Sequence, residues 1–398
     1  MKFLENIFEK NKVHFENGGK LSTFYPIFEM IDTFIFTPRS QTVGNTHVRD
    51  GIDLKRTMVT VAIALLPVIL FSMYNTGYQS NLILQGMSEA PSNWRYDFLA
   101  LFGLQLNASS HLSNIALGAL YFVPIFLVTN IVGGFWEVVF SVIRKHEINE
   151  GFLVTGILFP LTLPASIPLW QVAIGISFGV VFGKEVFGGT GRNIFNPALM
   201  ARAFLFFAYP AQISGEVWVA VDGHSGATML GQIVNSGFDA SSMFFMDAFL
   251  GFIPGSIGET STLAILFGAS YLLLTGVGSW RIMLSMCMGL VVTSVIMNTV
   301  GSETNDLVNL PFYWHMVMGS FAFACVYMAT DPVSATMTNK GRFIYGFLIG
   351  VVGMVVRVSN PAYPEGWMLA VLFMNAFSPL IDYFVMQKSI KKRIAADV

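Results

Sequence analysis

Seven residues near the middle of the chain, Asp222-Gly223-His224-Ser225-Gly226-Ala227-Thr228, form its most suggestive loop. They lie in the longest polar interval of an otherwise oily sequence. The segment is small and presents two hydroxyls, on Ser225 and Thr228, with little steric cover. On spacing alone it reads as a surface turn, because Gly, Ser and Asp are the usual turn residues.

A second stretch runs from Gly183-Lys184-Glu185 to Asn193-Ile194-Phe195-Asn196-Pro197. Glycines, a Lys-Glu pair, Arg192 and two asparagines sit between two apolar runs. Irregular backbone at membrane depth is tolerated only where it is buried in protein or lines a cavity. Asn193 and Asn196 each donate and accept hydrogen bonds, which suits a polar ring edge such as a flavin's. The plain alternative is a connecting loop with helix caps.

In Gly133-Gly134-Phe135-Trp136-Glu137 the glycine pair admits close approach of a flat ring. Phe135 and Trp136 are placed to stack on it. Helix packing through small residues explains the same pair without a ligand. Three acids, Glu137, Asp331 and Asp382, fall within or beside apolar runs. Such residues mark ion pathways or internal pairs, and capping is a third reading for Asp331.

The elements that must position these residues are membrane helices. The chain has 398 residues, 54% hydrophobic and only 12% charged, against roughly 25% charged in soluble domains. A net charge of -2 argues against a nucleic-acid partner. Cys287 and Cys325 sit in apolar runs, and the six histidines lack ligand spacing, so no metal site is expected. No catalytic triad or general-base pair is visible. A bilayer span needs about 20 mostly apolar residues. Ten helices are expected, near 57–75, 112–136, 151–166, 168–187, 198–212, 261–277, 280–300, 313–330, 343–358 and 366–386. Proline and glycine in 159–168 and at Tyr209-Pro210 predict short or broken helices.

The expected organisation is an N-terminal segment 1–56, five helices over 57–212, a loop 213–260, five helices over 261–386, and a basic tail 387–398. A short amphipathic helix is expected around Phe3, Leu4, Ile7 and Phe8. With a cytoplasmic N-terminus, the basic residues Arg144, Lys145, Arg192, Arg281, Lys340, Arg342, Lys388, Lys391, Lys392 and Arg393 fall on the cytoplasmic side. The other side keeps only Arg95 and the border residue Arg357. Both termini are then cytoplasmic and the Thr228 loop is periplasmic. The fold class is an all-α polytopic membrane protein of about ten helices, with two inverted five-helix repeats hinted at by paired small motifs. The pairs are the helices after Lys55-Arg56 and after Trp280-Arg281, and Glu150-Gly151-Phe152 with Glu365-Gly366-Trp367.

Asp222-x-x-Ser225-Gly226-Ala227-Thr228 resembles the flavin-attachment motif D-x-x-[ST]-G-A-T, whose last threonine takes FMN through a phosphoester bond. With Gly133–Glu137, Gly183–Pro197, His47-Val48-Arg49-Asp50 and Asn360-Pro361-Ala362-Tyr363-Pro364-Glu365-Gly366, the chain resembles the B subunits of Na+-translocating NADH:quinone oxidoreductases almost end to end. The resemblance implies covalent FMN on Thr228, attached by a separate flavin transferase that recognises Asp222, Ser225, Gly226 and Ala227. It implies riboflavin contacts from Asn193 and Asn196, and a ubiquinone site lined by Gly133 and Gly134, beside Phe135 and Trp136. It makes Glu137 and Asp382 candidates for the Na+ path. The implied partners are the A, C, D, E and F subunits in a bacterial inner membrane. A phosphoester tether suits an open loop, because tethering supplies an effective concentration of about millimolar or more. Two other functions compete: the D subunit of an Rnf ferredoxin:NAD oxidoreductase, which usually lacks so long an N-terminal segment, and a flavin-free channel or transporter.

Overall fold

The computed structural model describes residues 10–15, 19, 21–22, 25, 28, 32, 54–87, 91–145, 148, 151–219, 221, 226–237, 244–360 and 365–396. The expected helix at Phe3–Phe8, the His47–Asp50 motif, Asp222, Ser225 and Pro361–Pro364 lie outside the described residues.

Each expected span contains helix, and the described residues form no strand. In chain order the main helices are α1 (Leu54–Gly86), α2 (His111–Arg144), α3 (Gly151–Leu161), α4 (Leu169–Gly183), α5 (Pro197–Ala208), α6 (Met229–Ser236), α7 (Thr262–Leu274), α8 (Trp280–Val300), α9 (Asn339–Ser359) and α10 (Trp367–Ala396). Six are long and apolar enough to cross a membrane: α1, α2, α4 with its 3-10 extension to Phe187, α8, α9 and α10. The protein is therefore an all-α polytopic membrane protein.

Helices α3, α5 and α7 have 11, 12 and 13 residues, roughly 17–20 Å at 1.5 Å per residue. A hydrocarbon core of about 30 Å outruns them, so none of the three is long enough to cross it by its helix alone. The expected span 313–330 is broken. It runs as Phe312–Val317, turns at the left-handed Gly319 (φ 68°), and resumes at Phe321–Phe323 before a π turn at Ala324–Met328. Within that turn the Tyr327 hydroxyl donates to the Ala64 carbonyl at 2.9 Å. It occupies the space that a side chain on Gly268 would need. Such π turns recur at functional sites.

The packing repeats with a shift of five elements. Helix α2 packs on α4 as α8 packs on α9, and α4 on α5 as α9 on α10. Helix α1 meets α3, and α3 meets α5, as α7 and α10 meet the broken span. The pairs α1–α7 and α5–α10 join the halves. The small motifs that hint at a repeat in the sequence pair the wrong elements, since α1 corresponds to α7 and not to α8. The extensive α1–α2 contact has no comparably extensive counterpart. The α1–α2 seam is closer than the α8–α9 seam: a Cβ on Gly118 would come within 1.7 Å of the Met73 carbonyl and one on Gly77 within 1.9 Å of that of Asn114, against 2.3 Å from Gly289 to the Phe347 carbonyl and 2.4 Å from Gly350 to that of Met286.

Arg357, expected at the border of its span, lies in the last turn of α9. It is fully buried near the end of α9 and donates to the carbonyls of His315 and Met318 at 2.8 and 2.9 Å. The break at Met318–Ser320 interrupts the helix ladder here, and Arg357 supplies donors to carbonyls beside it.

Candidate cofactor pockets and buried charges

Thr228 caps α6. Its Oγ1 accepts from the Gly231 N–H at 3.1 Å, with extended backbone (φ -65°, ψ 160°). The hydroxyl acts as an acceptor in this cap, so its proton is free to be replaced. Ser, Thr, Asp and Asn are the favoured capping residues for this reason. Thr228 itself is buried, at 7% exposed. Gly226 forms an isolated parallel bridge with Val217, and a Cβ there would lie 2.2 Å from the Glu216 carbonyl. Gly226 is therefore pinned against the strand-like Glu216–Val219 turn, whose Trp218 lies near the Arg202 guanidinium at 5.9 Å. Below Thr228 lies a pocket lined by Leu230, Ile253–Ser256, Glu259, Thr260, Gly319 and Glu365.

Asn193 and Asn196 line a larger cleft, whose enclosed space is about 70 Å³. Thr57, Met58, Thr155, Lys184, Thr190, Tyr327 and Asp331 share its wall. Asn196 caps α5: its Oδ1 accepts from Ala198 N and Leu199 N at 3.0 and 3.3 Å, with Pro197 in the first helical position. Its Nδ2 donates to Asp331 at 3.4 Å. Asn193 donates to the Phe195 carbonyl at 2.9 Å. Gly188, Gly189 and Gly191 all have positive φ, at 115°, 92° and 85°, so this linker turns in ways that side chains resist.

The two pockets occupy equivalent places in the two halves. The cleft is bounded by the starts of α1 and α3 and by the α4–α5 linker. The pocket below Thr228 is bounded by the lead into α7, by Gly319 in the broken span, and by Glu365 in the α9–α10 linker.

Gly133 and Gly134 part company. A Cβ on Gly133 would overlap the Phe152 ring at 2.3 Å, so its bare face is filled from within, while Gly134 faces open space. Phe135 is exposed and meets Trp136 edge to face at 5.5 Å, and Trp136 donates to Ser177 at 2.9 Å. Glu137 is buried in an ion pair with Lys184 at 2.6 Å. Lys184 also lies 3.9 Å from Glu185, which pairs with Arg144 at 3.2 Å. Asp382 accepts from Met337 N, Thr338 N and the Thr338 hydroxyl at 2.6, 3.0 and 2.5 Å, holding the start of α9. Asp331 accepts from Val333 N and Ser334 Oγ at 3.2 and 2.7 Å, as a turn cap does.

A sequence profile of the NQR2, RnfD, RnfE family matches residues 41–391. The chain belongs to that family. Similar proteins are the Na(+)-translocating NADH-quinone reductase subunits B of Chromohalobacter salexigens, Stutzerimonas stutzeri and Azotobacter vinelandii, at 53%, 54% and 55% identity. The alignments cover 99%, 98% and 98% of this chain and 97%, 98% and 98% of those proteins.

This NQR2, RnfD, RnfE family member also buries charges that sequence reasoning passed over. Arg202 and Glu365 approach to 3.9 Å, both nearly inaccessible, and Glu259 lies with them at 4% exposure. Arg202 and Glu259 stand at the edges of charge-free intervals and so read as boundaries. A charge in the middle of a membrane helix costs about 2.5–3.5 kcal/mol, and Arg202 within α5 carried that signal.

Proposed function

We propose that this chain is the B subunit of a Na+-translocating NADH:quinone reductase, the membrane member of a multi-subunit redox complex. It would carry FMN esterified to Thr228 and riboflavin beside Asn193 and Asn196, and deliver electrons to ubiquinone near Gly134 and Phe135. The supporting observation is the pair of equivalent pockets, one at the Thr228 motif and one at the asparagine pair, in the two halves. The near full-length likeness to reductase B subunits favours this reading over the Rnf D subunit.

The residues fit the groups. A phosphodiester on Thr228 would carry negative charge at the positive N-terminal end of α6, where backbone N–H groups and the helix dipole favour anions. The cap bond uses Oγ1 as acceptor, so esterification removes no hydrogen bond from the fold. The pocket below encloses about 10 Å³, too small for a tricyclic ring, which would lie outside it. The cleft wall supplies polar groups for riboflavin, Asn193, Asn196, Thr190 and Lys184, and its enclosed space of about 70 Å³ would widen to admit the ring. Bound flavins and quinone supply the electron-transfer chemistry, while the protein fixes their positions and surroundings. Lys184 holds positive charge at the cleft wall, and Asn196 ties α5 to Asp331. Glu137 and Asp382 stand as Na+-path candidates, each able to accept an ion only by giving up the contacts that hold it. The termini are assigned to the cytoplasmic side of a bacterial inner membrane, and Thr228 to the periplasmic side, where a flavin transferase has access.

The test is denaturing electrophoresis under ultraviolet light of the complex made in a host with the transferase. A fluorescent band for this subunit, lost in Thr228→Ala, is expected. A dark wild-type band sinks the reading.

A further inference from the structure

The pocket below Thr228 has a lining that a tethered flavin leaves unexplained. Its polar side chains are all oxygen donors: the carboxylates of Glu259 and Glu365 and the hydroxyls of Thr228, Ser256 and Thr260. No Lys, Arg or His is among the lining residues. The enclosed space is about 10 Å³, close to one water-sized sphere. Ser256 donates to Oε2 of Glu259, but Oε1 of Glu259 is buried with no partner. Oε2 of Glu365 stands 3.9 Å from Arg202, longer than the roughly 2.7–2.9 Å of a direct charge-assisted bond.

Positive charge stands behind these carboxylates and outside the pocket. Arg202 faces Glu365, and Arg357 gives its protons to backbone carbonyls. The helix α7 begins at the Ser261 cap, two residues after Glu259, so its positive end also favours the charged acid. The carboxylates are thus balanced from the rear and present free oxygen forward. An ion-sized cavity of hard oxygen donors selects a small hard cation over a soft transition metal. The described residues hold no group of three His, Cys, Asp or Glu that would suit the latter. Balance from the rear also weakens the hold, as a site for a transported ion requires.

We propose that this pocket binds Na+, through Glu259 and Glu365 with the hydroxyls of Ser256 and Thr260. The proposal rests on reading the chain as part of a Na+-translocating complex, and it assigns the ion to groups other than Glu137 and Asp382. Thr228 shares the pocket wall, so Na+ here lies next to the flavin tether. By linkage, a cation at this place favours arrival of an electron beside it, and the electron in turn tightens the cation.

The test uses the purified complete complex, with equilibrium dialysis against 22Na+ and Na+ titration of turnover against a K+ background. Glu259→Gln is expected to bind one Na+ fewer per complex. Glu259→Gln and Glu365→Gln are expected to raise the half-saturating Na+ at least tenfold. Glu303→Gln, in an exposed turn, changes neither. Should Glu259→Gln fail to assemble, Thr260→Val, which removes one hydroxyl, must raise the half-saturating Na+ at least threefold. Unchanged stoichiometry and half-saturation in an assembled variant overturn the proposal and leave the pocket a water site. In-gel flavin fluorescence is read on the same samples. Its absence from the wild type counts against the flavin assignment, while the dialysis result judges the Na+ site.

Discussion

Replacing Lys184 by Met strands Glu137 as a buried carboxylate. The pair is close, 2.6 Å from Nζ to Oε1, with side chains 4% and 6% exposed. Solvent cannot take over the lost partner at that exposure. Removing one member of such a buried pair costs about 3–5 kcal/mol, whereas replacing both by neutral groups of similar size is close to neutral. Glu185 loses a more distant contact at 3.9 Å but keeps Arg144 at 3.2 Å, so the main loss falls on Glu137. At roughly 2 °C per kcal/mol for a large domain, Lys184→Met should lower the apparent Tm by about 6–10 °C. Adding Glu137→Gln should restore most of it. The assay is thermal unfolding of the detergent-solubilised complex, followed by tryptophan fluorescence at one fixed scan rate, because irreversible unfolding makes Tm depend on that rate. A single variant within about 2 °C of wild type, or a double variant whose loss equals the sum of the singles, refutes the buried-pair argument.

Thr228→Ala removes a cap worth about 1 kcal/mol, so the subunit should assemble with near-native Tm while its FMN fluorescence disappears; co-purification of the other subunits checks assembly. Gly226→Ala drives a Cβ to 2.2 Å from the Glu216 carbonyl, and should cut FMN incorporation at least tenfold by displacing the motif. Mass spectrometry of the Thr228 peptide measures this, and full incorporation would contradict the packing account. Asp382→Ala takes acceptors from two N–H groups and one hydroxyl at the start of α9. It should weaken the Na+ dependence of turnover with flavin content intact, and unchanged Na+ kinetics discard its ion role. Asn196→Ala removes the α5 cap and the tie to Asp331, and should lower extractable riboflavin relative to covalent FMN.

Much of the fold was legible because burial in lipid demands it. Long charge-free runs such as 112–136 have one stable outcome, a helix that satisfies its own backbone, and all ten expected spans contain helix. Their ends were less legible. Helix α1 reaches Gly86 and not residue 75, since polar residues such as Asn75, Ser80 and Asn81 find partners inside the protein. The Pro and Gly signals at 159–168 and 209–210 do mark short helices, whereas no such signal distinguished the break at Met318–Ser320 beyond the single Gly319.

The same division holds for the candidate site. Residue types and order alone determined the Thr228 motif, the asparagine pair, the membrane class and the family resemblance, because these depend on local spacing and on total apolar content. Tertiary structure alone decided that Lys184 closes on Glu137, that Phe152 fills the face of Gly133, and that Arg202, Glu259, Arg357 and Glu365 meet near Thr228. Those partners are tens to hundreds of positions apart in the chain. A buried charge has to find its complement in space, and spacing along one strand of sequence carries no record of where that complement lies.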